Sequence, residues 1–241
     1  SEKYMDYLNY HTDESNRFTS SHDGPWVEEY RKFEETHTNP DRLVASLFKD
    51  KYFILKKVNP KELMWGMYWV ASDMQNAETK VSFYDLFKGQ ELFDLWQCVN
   101  YRFYVGNANH ADGKGIVVAN AKSLLRNILD SADEAIRKGG IAATLRFGHD
   151  GNVIPLVALM QIENCNVAVS DPYEVYKVWS DFKVVPMAAN VQIIFFRNEK
   201  SNDILVKIMH NENEVHIPVQ TDMFPYYRWR DVENYYRGML K

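Results

Sequence analysis

The sequence predicts an α/β fold in which a polar segment (residues 1–24) and a mainly helical lobe (25–140) precede an α/β core portion (141–241). Three observations predict it. Between residues 59 and 138, three successive stretches repeat apolar side chains every three or four positions, the period of helices that face a core. At residue 141 the period changes: residues 141–147 (IAATLRF) are short and apolar, follow Gly139-Gly140, and read as a buried strand entered from a tight turn. Residues 188–196 and 204–209 then supply two more apolar, strand-like runs.

Taken in order, residues 1–24 are rich in Ser, Asp, Asn and His, and read as mostly loop with room for one short helix. Residues 25–36 fit an amphipathic helix, with Trp26, Val27, Tyr30 and Phe33 on one face and Pro25 near its start. Asn39-Pro40 breaks the chain before a helix over 41–48. Asn59 is placed as the cap of a helix over 61–77, with Pro60 at its first position and Leu63, Met64, Met67, Tyr68, Val70 and Ala71 as its stripe. Stripes of Met and aromatic residues are core packing far more often than cofactor sites.

After Gly89, a second helix carries Leu92, Phe93, Leu95, Trp96, Val99 and Phe103 and ends near Gly106. Residues 107–115 form a turn-rich loop. A third helix over 120–138 buries Leu124, Leu125, Ile128, Leu129, Ala132 and Ile136 and is closed by Gly139-Gly140. Beyond the strand at 141–147, residues 153–162 are apolar enough for a core helix with Pro155 in its first turn. The polar stretch 197–203 joins the strands on either side as a hairpin. A short strand at 215–219 and a closing helix over 229–240 complete the reading.

Composition narrows the function classes. With 46% hydrophobic residues the 241-residue chain can bury a sizeable core, so it is globular rather than disordered. A net charge of −5 and no long basic run argue against a nucleic-acid surface, which needs clustered Lys and Arg. A small anionic substrate needs only a local cluster and stays open. Cys98 and Cys165 make no disulfide framework and read as small buried hydrophobes. No stretch approaches the roughly 20 apolar residues of a membrane span. Residue 1 is Ser, so the lack of an export signal carries no information. None of the seven histidines forms an i, i+4 pair with another, and no metal site stands out.

Chemistry concentrates between the strand and the helix, in Gly148-His149-Asp150-Gly151-Asn152. A strand that turns straight into a helix there sets an imidazole and a carboxylate at a sheet's carboxyl edge, beside helix N–H groups that favour anions. A plainer reading stands beside this one: Asp150 or Asn152 is simply the helix cap, and His149 an ordinary turn residue. Arg146 falls on the opposite face of the strand from Phe147 and is expected to be a structural ion-pair partner.

The run Leu145-Arg146-Phe147-Gly148-His149-Asp150-Gly151-Asn152-Val153-Ile154-Pro155-Leu156 resembles the second signature of the branch 2 histidine phosphatases, which include histidine acid phosphatases, phytases and multiple inositol polyphosphate phosphatases. The acid phosphatases and phytases carry His-Asp there, and this chain has that form. Phe83-Tyr84-Asp85-Leu86-Phe87, Tyr101-Arg102-Phe103-Tyr104, Ala121-Lys122-Ser123-Leu124-Leu125 and Pro186-Met187-Ala188-Ala189-Asn190 are more similar to the inositol polyphosphate branch. The family's first motif, Arg-His-Gly-x-Arg-x-Pro, which holds the nucleophilic histidine, occurs nowhere in the 241 residues.

The resemblance implies a three-layer αβα core with the helical lobe inserted and the first strand missing from this chain, as in a carboxyl-terminal portion of a longer protein. It implies phosphomonoester hydrolysis through a phosphohistidine, on an inositol polyphosphate or a similarly anionic phosphate ester, with no cofactor. His149 would hold phosphate, and Asp150 would donate the proton to the leaving group and then activate water. Tyr101, Arg102, Tyr104, His110, Lys114 and Lys122 become candidate substrate contacts, with Arg102, Lys114 and Lys122 as the cations among them. The partner would be an upstream segment of the same protein carrying the nucleophile. Relatives of this type are commonly secreted or periplasmic. The alternative class is a non-catalytic domain that binds anions at His149 without turnover.

Overall fold

The computed structural model describes residues 7–8, 11–198, 200 and 203–241; the sequence readings at residues 1–6, 9–10, 199 and 201–202 lie outside the described residues. The chain forms two compact units, Pro25–Arg102 and Ser1–Gly24 together with Phe103–Lys241. No helix among the described residues is long and apolar enough to cross a membrane.

The unit Pro25–Arg102 is helical. It contains α2 (Val27–His37), α3 (Asp41–Leu47), α4 (Lys51–Leu55), α5 (Pro60–Asp73) and most of α6 (Gly89–Asn107). Asn59 caps α5 as expected, its Oδ1 accepting from Lys61 N at 3.0 Å and Glu62 N at 3.4 Å. The helix stops at Asp73 and a 3₁₀ turn covers Met74–Asn76, because Ser72, Asp73 and Asn76 are weak helix formers that compete for backbone groups. Leu43, Met64, Tyr68, Ala71, Phe87 and Leu95 make the core of this unit. Arg42 of α3 grips Glu91 of α6 with two hydrogen bonds of 2.5 Å.

The second unit begins with α1 (Asp13–Thr19), whose Thr12 and Ser15 form a reciprocal capping box. Its remaining helices are α7 (Lys122–Lys138), α8 (Asp150–Leu159), α9 (Pro172–Val178), α10 (Asp181–Val184) and α11 (Trp229–Met239). The expected hairpin is present: β1 (Val191–Arg197) and β2 (Ile204–His210) pair antiparallel, Val191 opposite His210 and Arg197 opposite Ile204. On its other side β2 pairs with β3 (Asn213–Glu214) and β4 (Tyr226–Arg228). Val206 and Ile208 point from β2 into the core, and α11 packs on β2 and β4. Tyr236 of α11 donates to Met160 O at 2.9 Å, which fastens the closing helix to the end of α8.

Three expectations are corrected here. Residues 141–147 take no regular secondary structure and pair with no strand among the described residues, and Ile141, Leu145 and Phe147 are 49%, 74% and 82% exposed. A strand needs a neighbour, and among the described residues β1 is paired only with β2. The short strand falls at 213–214 rather than 215–219. Finally, α8 starts at Asp150, so Pro155 lies inside it rather than in its first turn, where it has no N–H to donate to Gly151 O. The short elements α4, α9, α10 and β4 escaped the sequence reading, since three to seven residues are too few to establish a period.

Candidate active site

Helix α8 is the element on which the site is built. Its buried residues Ile154 to Met160 fix it in the unit, packed against α7 and the 3₁₀ turn Val118–Ala121. Its amino terminus is left facing outward, and its first-turn N–H groups make that end partly positive. His149 is the cap residue in extended conformation (φ −108°, ψ 171°), and Asp150 is the first helical residue. Both side chains are exposed. Asp150 Oδ1 accepts from Gly151 N at 2.8 Å, so one carboxylate oxygen is committed to the helix end.

The turn is held from behind by Asn152, whose Oδ1 accepts from His149 N at 2.9 Å and whose Nδ2 donates to Leu8 O at 2.6 Å. Two glycines permit this close packing. A Cβ on Gly148 would stand 2.8 Å from Asn152 Oδ1, and one on Gly151 would stand 3.3 Å from Asn107 Oδ1. Arg146 lashes the approach to α7, with its guanidinium bonded to Asn127 Oδ1 at 2.6 and 3.0 Å and to Ser131 Oγ at 2.7 Å. Arg146 is therefore structural as expected, although its partners are neutral and no ion pair forms.

His149 and Asp150 thus lie together at a helix amino terminus, while the central strand expected to lead into them is an unpaired segment. An open cleft of about 440 Å³ lies beyond the opposite end of α8, lined by residues that include Gln161, Glu163, Asn166 and His216. Lys122, half-buried, opens α7 directly after the turn that packs on α8. Lys114 is exposed, in left-handed conformation (φ 48°) beside Gly115. No hydrogen bond or ion pair joins either lysine to His149 or Asp150. Arg102 is exposed on α6 in the other unit.

Three of the wider candidates are core residues. Tyr101 is 1% exposed and stacks on Tyr30 at 5.9 Å between ring centroids. The Tyr104 hydroxyl lies 2.7 Å from Val167 O and accepts from Val169 N at 3.0 Å; burial pushes it up to about 12. Buried His110 accepts from Asp112 N at 3.3 Å through Nδ1, and burial holds its imidazole below the usual range, favouring the neutral ring. No group of three or more His, Cys, Asp or Glu that could hold a metal occurs among the described residues.

Comparison with known proteins supplies the family. The histidine phosphatase superfamily (branch 2) model matches residues 2–211. No curated protein sequence matches the chain. Among solved structures, the chain is similar to the multiple inositol polyphosphate phosphatase of Bifidobacterium longum. The complex of that protein with inositol hexasulfate is 23% identical, with a TM-score of 0.61 over 70% of this chain and 36% of the other. Its phosphate complex is 22% identical, with a TM-score of 0.62 over 80% and 41%. At that identity the likeness shows the fold alone, and this chain spans less than half the length of those proteins. Since the family model covers most of its residues, the chain belongs to the histidine phosphatase superfamily, branch 2.

Proposed function

We propose that this chain supplies the phosphate-holding and proton-donating half of a phosphomonoesterase site, and that the nucleophilic histidine comes from residues outside the 241. The observation that carries the reading is the His149-Asp150 pair at the exposed amino terminus of α8, a ten-residue helix whose positive end favours an anion. Residues 141–147 also support it: an apolar segment with a strand-like sequence leads into the site, yet lies exposed and without a strand partner among the described residues.

In this reading the reaction has two displacements. An imidazole nitrogen attacks phosphorus, the ester P–O bond breaks, and the leaving alkoxide takes the proton of Asp150. The Asp150 carboxylate then removes a proton from water, whose oxygen displaces the imidazole and releases phosphate. His149 donates a hydrogen bond to a non-bridging phosphoryl oxygen, where charge must be held throughout. Because Asp150 Oδ1 is occupied by Gly151 N, Oδ2 is the oxygen that carries the transferred proton. The substrate class is an inositol polyphosphate or a similarly anionic phosphate ester. Lys122 and Lys114, which lie in the same unit as His149, are candidate contacts on charge.

Asp150→Asn tests the assignment in the protein that includes the nucleophile. The amide keeps the size and the acceptor for Gly151 N, yet has no proton to give. Single-turnover phosphorylation by an alkyl phosphate should slow by about 10²–10⁴. An aryl phosphate with a good leaving group should lose far less in the same step. Equal loss with both substrates would make Asp150 a helix cap and nothing more.

A further inference from the structure

Asn152 uses both ends of its carboxamide, and the two ends hold different parts of the chain. The oxygen accepts from His149 N and the nitrogen donates to Leu8 O, 144 positions away in sequence. These two partners fix which end is oxygen. The segment it reaches is anchored nearby as well: Ser123 Oγ donates to Tyr7 O at 2.9 Å, and Asn120 Nδ2 lies 3.2 Å from His11 Nδ1. Of these anchors, Asn152 is the one that also touches the His149 turn.

Closing a helix end does not require this residue. At the third helical position any acceptor satisfies the cap N–H, and Glu or Gln is the usual choice. Asp would serve the same bond and add a favourable charge at a helix amino terminus. Among the residues usual at this position, Asp and Glu can only accept when ionised, whereas a carboxamide can accept from His149 and donate to Leu8 at once. Gly148 is matched to it, because a Cβ there would stand only 2.8 Å from Asn152 Oδ1.

We infer that Asn152 is a positioning residue that couples the order of the Tyr7–Leu8 segment to the orientation of the turn carrying His149 and Asp150. It acts through those two residues and touches no reacting atom. Its catalytic meaning rests on the function proposed above, whereas the coupling itself does not.

The test compares wild type, Asn152→Asp and Asn152→Ala in the full 241-residue chain by amide hydrogen exchange and backbone NMR relaxation. Asn152→Asp keeps the acceptor and loses the donor, so the His149 amide should stay protected while Tyr7 and Leu8 lose order. Asn152→Ala should release both, with His149 exchange faster by about tenfold, the worth of one hydrogen bond. Amides of residues 154–159 should be unchanged in all three. The inference is overturned if Leu8 stays ordered in Asn152→Asp, or if residues 154–159 lose protection together with His149. In the protein that includes the nucleophile, Asn152→Ala should lower kcat about tenfold with KM within about twofold, and a KM effect alone would also overturn the positioning role. Lack of any turnover by that wild-type protein would sink the proposed function instead, with the coupling still decided by exchange.

Discussion

Gly148 and Asn152 show how closely the candidate site is fitted at the level of single residues. The Asn152 amide oxygen is held by His149 N at 2.9 Å, so it cannot swing aside for a new Cβ 2.8 Å away without breaking that bond. Gly148→Ala should therefore reproduce the Asn152→Ala phenotype, with faster His149 amide exchange and an unchanged α8 interior. An unaltered His149 amide in Gly148→Ala would show that the turn has slack. The sequence made His149 and Asp150 visible because a turn of that composition between apolar runs resembles a known signature. It could not reveal Asn152's second bond, because Leu8 is 144 positions away. Tyr101, Tyr104 and His110 were misplaced for the opposite reason. A polar side chain reads as a surface group until a distant partner, such as Val167 O for Tyr104, explains its burial.

At the scale of elements, two junctions make measurable claims. Between α3 and α6, burial alone would raise the Glu91 carboxyl, but the Arg42 and Lys88 N hydrogen bonds outweigh it and hold the group below the usual carboxylate range. A carboxylate depressed on folding contributes stability above its unfolded pKa of about 4.3 and loses it as pH falls through the lower folded value. Glu91→Gln should thus destabilise the chain by about 1–2 kcal/mol at neutral pH, with the gap closing below about pH 4 in urea titrations. A gap that persists in acid would mean that packing and not charge links these helices.

The second junction is the segment 141–148, of which the sequence reads 141–147 as a strand from its apolar content. That content was legible; its lack of a neighbour was not, because pairing depends on the whole sheet. No backbone hydrogen bond to these residues exists among the described ones, so their amides should exchange near unprotected rates while those of β1 and β2 paired to each other are slow. Strong protection across 141–148 in the isolated chain would show that a partner is already present within it.

For the whole molecule, the long amphipathic helices and the β1–β2 hairpin were legible because each repeats its period for long enough to reveal a buried face. The ties that assemble the second unit were not. Arg237 of α11 reaches Asp130 at 3.0 Å and Asp133 at 2.5 Å on α7, and Trp229 Nε1 donates to Asp133 Oδ1 at 3.2 Å, contacts that no local pattern announces. Since Arg237 is about a third exposed, solvent screens the network, and Asp133→Ala should cost only about 1 kcal/mol. A loss several times larger in thermal unfolding would make Asp133 a core organiser.

In the proposed function, His149 and Asp150 form half of a phosphatase site whose nucleophile lies outside these residues. Phosphatase assays on the purified 241-residue chain decide this, with an aryl phosphate as substrate, alone and then joined to a segment bearing an Arg-His-Gly motif. Negligible turnover by the chain alone is expected, with turnover restored, through an acid-labile phosphohistidine, once that segment is present. Turnover by the chain alone, abolished in His149→Ala, would contradict it by making His149 the nucleophile.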